Sequence, residues 1–463
     1  HLLVYTKFIR SMFKKIACVC LSIFPLVGVA QLNNPYTISG IGETNHINNA
    51  TFSGYGDASV AYAKPSILNL SNPASFSFLK HQFPIFSVGT GTKFNKVTDG
   101  NETSSSNFTG IPEIGLGLSF AKRFGIAFAL KPFSNKNYSI TTMNPIGTDT
   151  IMHKYIGSGS INQVSGGLSF NILNNDKVKW GIGANANGVF GQVRDERQAQ
   201  LMATSSALAG VEYQNRSVAT FMMDFGTILQ ANITENDELT FGGTFRPETQ
   251  MSGKTNTLLM TTTNLNEPAN YNSISQLGEK DVRYVYGHQW KAGLTYSRKF
   301  KMVNAKMERT RSSLWTTSVN FASQDYSADR MYGTVANPTD ANALSFNYKN
   351  ATSLHIGTEF TPQVIIEGAN IVKFFNRATY RIGFVNKKLP FSVANTQLNE
   401  WTTSVGMGIP MVIDRRMESS IHFSLGMGQR SAGDYKENTF QFNIGIMVAP
   451  GFNDRWFIKK KLD

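Results

Sequence analysis

Near the C-terminus the chain reads Phe440-Gln-Phe442-Asn-Ile444-Gly-Ile446-Met-Val448, with a large apolar side chain at every second position and mostly small or polar residues between. Successive side chains of a strand point to opposite faces, so a period of two specifies a strand with one apolar face and rules out an amphipathic helix. Fourteen runs of this kind fall between residues 82 and 448. In Ile421, Phe423, Leu425 and Met427 the apolar series alternates with His422, Ser424, Gly426 and Gly428; Ile114 to Phe120 and Val164 to Ile172 show the same pattern, and Tyr284, Tyr286, Trp290, Leu294 and Tyr296 read as one further outward stripe.

The gaps between runs sort by parity. Those after odd-numbered strands are long, as at Lys96–Gly110, Ser134–Ser160, Arg194–Gly210 and Thr255–Lys280. Several after even-numbered strands are tight, as at Lys122–Arg123 and Asn174–Lys177, although Lys299–Ser312 and Pro362–Asn376 break the rule. Short turns on one side and long loops on the other mark an up-and-down transmembrane barrel with an even strand count and both termini in the periplasm. The competing soluble sandwich needs Lys, Glu and Thr on its wet face. Here the second face is mainly Gly, Ser, Asn and Ala, which suits a crowded barrel interior. Trp180, Trp315, Trp401 and Trp456-Phe457 lie near strand ends, where an interfacial girdle belongs.

The sequence therefore predicts an all-β, 14-stranded antiparallel transmembrane β-barrel spanning 81–448, with an N-terminal plug (hatch) of residues 31–80 inside its lumen. Residues 1–30 read as upstream residues and a signal peptide: Lys14-Lys15, an apolar run from Ile16 to Val29, and the small residues Gly28-Val29-Ala30. Residues 449–463 are expected to form a periplasmic tail bearing Lys459-Lys460-Lys461. No stretch after Ala30 has the roughly 18 consecutive apolar residues of a membrane-crossing helix.

Both cysteines, Cys18 and Cys20, lie in the leader, so a mature chain starting at Gln31 has no disulfide or thiolate chemistry. The formal charge of +13 is scattered, with four of its cations before Gln31, and no basic stripe interleaved with aromatics indicates nucleic acid. The seven histidines are isolated, with no zinc-site spacing, and no Gly-x-Ser-x-Gly elbow, P-loop or dinucleotide fingerprint occurs. The expectation is a non-enzyme without cofactor or metal.

Gly40-Ile-Gly-Glu-Thr-Asn, Gly54-Tyr-Gly-Asp-Ala-Ser-Val-Ala-Tyr-Ala and Leu70-Ser-Asn-Pro-Ala-Ser75 precede the strands. This order, leader then Gly/Ala-rich segment ending in Asn72-Pro73-Ala74 then fourteen strands, resembles the FadL/TodX family of outer-membrane hydrophobic-compound (long-chain fatty acid) transporters. The resemblance implies a Gram-negative outer-membrane location and passive passage of hydrophobic small molecules, fatty acids or similar, with outer-membrane lipids as the other contact. It also implies lateral release at a kinked third strand, and Lys131-Pro132-Phe133 occupies that place; proline cannot donate to a ladder, so the wall must bend there. A greasy ligand needs a mainly apolar pocket, for which Phe52, Tyr55, Tyr62, Met143 and Met152 are the candidate ligand-binding residues. The alternative is a non-transporting barrel subunit of a larger outer-membrane assembly or secretion complex, docking a protein partner through 299–312, 362–376 and the basic tail.

Overall fold

The computed structural model describes residues 35–38, 40–44, 48–99, 102–202, 208–300, 310–327, 330–332, 344–345, 348–365, 374–393, 395–411 and 419–449. The leader, the tail beyond Ala449, and most of 299–312 and 362–376 lie outside these residues. Fourteen antiparallel staves form one closed wall. They are β1 (Ile85–Asp99), β2 (Glu102–Gly110 and Ile114–Ala121), β3 (Phe124–Asn135 and Tyr138–Ile146), β4 (Asp149–Asn174), β5 (Val178–Leu201), β6 (Ala209–Asn232) and β7 (Asp237–Arg246 and Thr249–Thr262). The circuit continues through β8 (Asn272–Tyr286 and Gln289–Lys299), β9 (Leu314–Gln324 and Arg330–Tyr332), β10 (Leu344–Ser345 and Ala351–Thr361), β11 (Thr379–Val393), β12 (Thr396–Pro410), β13 (Ser420–Ala432) and β14 (Tyr435–Val448). β14 returns to β1 along the register Phe86↔Val448 to Thr98↔Lys436, which removes the free edges of an open sheet.

The alternation is realised as expected over most of the wall. Leu425 and Met427 face outward while His422 and Ser424 are buried; Val164 and Leu168 are exposed while Ser165 and Ser169 are not. Outward Phe86, Phe128, Ile182, Phe221, Phe241, Val319, Ile382 and Phe442 continue this apolar band around the barrel. Such a surface is stable against lipid and unstable against water. Trp180 and Trp315 stand outward at the ends of their strands and donate indole N–H bonds to Thr227 and Thr358 across the ladder, at 3.0 and 2.8 Å.

Two sequence expectations need correction. The long gaps after odd strands are largely strand: Ser134–Ser160 continues as the second piece of β3 and the first half of β4, turning at Gly147, whose φ of 61° fits a tight hairpin. About ten tilted residues cross a bilayer, whereas β4 runs for 26. Beyond the membrane both faces are wet, so the apolar period stops although the ladder does not. The second correction concerns Tyr284 and Tyr286, which are buried, while Trp290 and Leu294 on the same stave face out. β8 breaks at Gly287–His288 and β7 breaks beside it at Pro247–Glu248, and the interruption reverses the inward and outward sets.

At the end carrying the short turns, the two long exceptions meet. Thr310–Arg311 pairs with Val364–Ile365 in a small two-stranded ladder, followed by a short helix, Phe374–Arg377, whose Phe375 is exposed.

Candidate functional site

Residues 48–80 lie within the barrel and touch the wall all around it. Their backbone passes so close to Gly183, Gly242, Gly357 and Gly383 that a Cβ at any of these would collide with Pro73, Val60, Tyr55 or Gly56. Small residues on the inner face are therefore what lets this segment sit against strands on opposite sides of the lumen.

The Asn72-Pro73-Ala74 motif has a local and a long-range role. Asn72 caps the 3-10 helix Pro73–Phe78, its Oδ1 accepting from the Ala74 N–H at 3.1 Å, with proline at the first turn where no donor is needed. Its Nδ2 donates to the carbonyls of Val60, Thr227 and Gly243 at 2.8, 3.2 and 3.4 Å. One fully buried amide thus ties the helix start to the segment and to the wall strands β6 and β7.

Charge supplies the other fastenings. Glu359 on β10 takes Lys64, the Tyr62 hydroxyl at 3.3 Å and Arg381 of β11 at 3.0 Å, and Arg381 reaches His422 at 3.1 Å. Arg430 on β13 holds Glu43 with two nitrogens at 2.6 and 3.3 Å and also binds Glu400. Lys136, fully buried, donates to the carbonyls of Ile38 and Gly40 and pairs with Asp195 at 2.7 Å, which Arg216 also contacts. The Tyr55 hydroxyl meets Ser318 at 2.9 Å. Burial, then the Glu359 charge, push the Tyr55 and Tyr62 hydroxyls well above the ordinary tyrosine range, so both stay neutral.

Two of the cavities among the described residues bear on function. The larger, about 310 Å³, runs beside the segment and is lined mainly by polar and charged groups, among them Lys93, Glu113, Lys131, Asp224, Arg246 and Lys291, with Phe52 and Leu70 as apolar walls. The smaller, about 110 Å³, is aromatic: Tyr284, Tyr286, Tyr326, Tyr348 and Phe391 surround it, with Tyr348 and Phe391 edge to face at 5.6 Å between centroids. Of the candidate ligand residues, Phe52 reaches the larger cavity, whereas Tyr55 and Tyr62 pack in a buried cluster with it and spend their hydroxyls on the wall. Met143 and Met152 oppose each other on the projecting β3–β4 hairpin, with Met143 54% exposed, and line neither cavity. The aromatic cavity escaped sequence reading because two of its tyrosines sit where β8 reverses its faces and the others lie at strand margins.

Lys131 and Pro132 border the larger cavity, and the β3–β4 register slips between Pro132 and Ser134. On its other side β3 pairs with β2 only up to Leu130, and beyond the slip Ser134 and Asn135 pair instead with the two-residue strand Glu43–Thr44. The Glu102–Gly110 piece of β2 pairs with β1 alone among the described residues.

Comparison with known structures finds the same architecture. A FadL homologue of Pseudomonas aeruginosa superposes with a TM-score of 0.55 at 12% identity, covering 89% of this chain and 100% of its own. The Pseudomonas putida toluene transporter TodX gives 0.53 at 14%, covering 89% and 100%, and the Ralstonia pickettii toluene transporter TbuX gives 0.52 at 12%, covering 88% and 98%. At these identities the likeness is one of fold. No curated protein matches the chain. The FadL/TodX resemblance in the sequence is thus a resemblance of architecture, and family membership is decided by the family model that matches residues 12–463: the chain belongs to the BamG family.

Proposed function

We propose that this barrel is a plugged, non-transporting subunit of a larger outer-membrane protein assembly. The observation that carries this reading is the state of the lumen. The described residues of 35–80 act as a plug, fastened to the wall by the ion pairs Glu43–Arg430 and Lys64–Glu359 and by Lys136 on the carbonyls of Ile38 and Gly40. The larger space beside it is lined mainly by polar and charged groups. A conduit for hydrophobic molecules needs a mainly apolar pocket, because burying oil against lysine and aspartate costs the hydration of the charges without returning an interaction. The two-stranded ladder of Thr310–Arg311 with Val364–Ile365 and the exposed Phe375 beside it offer a protein-docking surface at the turn end, which this reading places in the periplasm with both termini. Extraction in mild detergent should recover the barrel with a stoichiometric protein partner, while vesicles containing the purified barrel take up toluene-like or fatty-acid probes no faster than empty ones. Recovery as an isolated monomer that accelerates uptake would overturn the proposal.

A second reading is passive passage of hydrophobic small molecules, the role named for the toluene transporters of this fold. The missing ladder above Leu130 and the aromatic cavity favour it. In that reading Lys131-Pro132-Phe133 borders a lateral opening and Phe52 the ligand path, and a lipid-like molecule retained through purification would support it.

A further inference from the structure

The upper piece of β2, Glu102–Gly110, has a full ladder with Gly91–Asp99 of β1 and, among the described residues, none on its other side. This is unusual in a closed barrel, whose purpose is to leave no edge. Facing it across the seam, the upper piece of β3, Tyr138–Ile146, is likewise paired only with β4. The sequence of the open edge is Glu-Thr-Ser-Ser-Ser-Asn-Phe-Thr-Gly, small and polar apart from Glu102 and Phe108, and without proline, bulge or lysine to discourage pairing.

The level of this edge narrows the partner. Asn107 stands opposite Phe94, an outward residue of the apolar band, so the lower part of the edge meets the rim of the membrane. Lipid chains cannot satisfy backbone N–H and C=O groups, and a single half-buried Phe108 among Ser, Thr and Asn gives a greasy ligand little to hold. A peptide backbone satisfies both. We infer that the open edge Glu102–Gly110 of β2 receives an extended strand from another polypeptide of the assembly, by strand addition. With Phe108 as its one large apolar side chain, the edge draws affinity mainly from main-chain bonds, so the strand must belong to a protein already held close by the complex. The inference therefore rests on the proposed role as an assembly subunit.

Amide hydrogen exchange on the native detergent-extracted assembly and on the stripped barrel tests it. In the assembly, exchange over 102–110 should slow on the order of tenfold or more relative to the stripped barrel, while 435–448, paired on both sides in either form, stays unchanged. Ser104→Pro and Ser105→Pro supply the second measurement, since neighbouring residues direct their amides to opposite sides of the strand. One variant breaks the β1 ladder; the other removes a donor only from the open edge, and should keep the heat-modifiable folded form while losing the added strand's protection. An assembly in which 102–110 exchanges as fast as in the stripped barrel overturns the inference and leaves the assembly role standing. Protection supplied by lipid nanodiscs without protein, or by a second copy of the barrel alone, also overturns it. A barrel that is never recovered with a partner removes both proposals together.

Discussion

Arg430 of β13 grips Glu43 through two nitrogens, at 2.6 and 3.3 Å, across 387 residues of sequence, and both side chains are almost fully buried. The same guanidinium binds Glu400 and stands 3.8 Å from Glu437, so one cation serves three carboxylates. Its placement couples the start of the N-terminal segment to the wall. Bidentate Arg–carboxylate pairs are directional as well as charged, which makes this contact a fixed attachment point.

Arg430→Met is expected to destabilise the barrel severely, because three carboxylates then face one another with the lysines Lys387, 3.5 Å from Glu400, and the buried Lys93 near them. Removing one member of a buried pair costs about 3–5 kcal/mol. Glu43→Gln keeps the shape and leaves Arg430 with Glu400 and Glu437, so about 1–3 kcal/mol is expected. Thermal unfolding followed by the heat-modifiable gel shift ranks the two, and a Glu43→Gln barrel as stable as the wild type would show that Arg430 is held by the wall carboxylates alone.

Asn72 is irreplaceable by its nearest analogue. Asp at 72 preserves the acceptor that caps the helix but cannot donate to the carbonyls of Val60, Thr227 and Gly243, and it brings a negative charge to three carbonyl oxygens. Asn72→Asp should therefore be worse than Asn72→Ala, which loses the cap at about 1 kcal/mol and strands the carbonyls for about 1–3 kcal/mol more. Protease cleavage within residues 48–80 reads the loosened segment directly. If Asp is the milder substitution, the cap matters and the three carbonyl contacts do not.

The barrel was legible in the sequence because lipid enforces it. Wherever one face meets hydrocarbon, as in Val164 to Ile172 or Ile421 to Met427, the period of two survives and the strand is found. Where the wall leaves the membrane, as in Ser134–Ser160, both faces are wetted and the strand continues without a signature. Reversals such as that at Gly287–His288 are invisible to a period count, which assigned Tyr284 and Tyr286 to lipid when they line the aromatic cavity. The fastenings were hidden for another reason: Glu43, Glu359, Lys136 and Arg430 are single charges in dissimilar surroundings, and only the closed fold brings each beside its partner.

The inner glycines give a test with a built-in control. A Cβ at Gly242 would strike the Val60 carbonyl and Ala61, whereas one at Gly210 meets nothing within 4 Å. Gly242→Ala should cost about 1–3 kcal/mol through overpacking against the N-terminal segment. Gly210→Ala, in a strand, should be neutral or slightly stabilising by up to about 1 kcal/mol, since alanine restricts the unfolded chain. Deleting residues 48–80 should abolish the difference between the two substitutions; a difference that persists would place the strain in the wall itself.

Pro132 separates the two functional readings. Pro132→Val restores a donor N–H and a β-branched side chain at the slip between β3 and β4, which favours a continuous ladder. If the barrel passes hydrophobic molecules sideways through the wall, uptake of toluene-like or fatty-acid probes into vesicles should fall severalfold on closing the bend. If the lumen is sealed and the protein serves in an assembly, wild type and variant alike should take up probe at the rate of empty vesicles, and recovery of the protein partner should be unchanged. Uptake above background by the wild type, lost in the variant, would decide for the transporter.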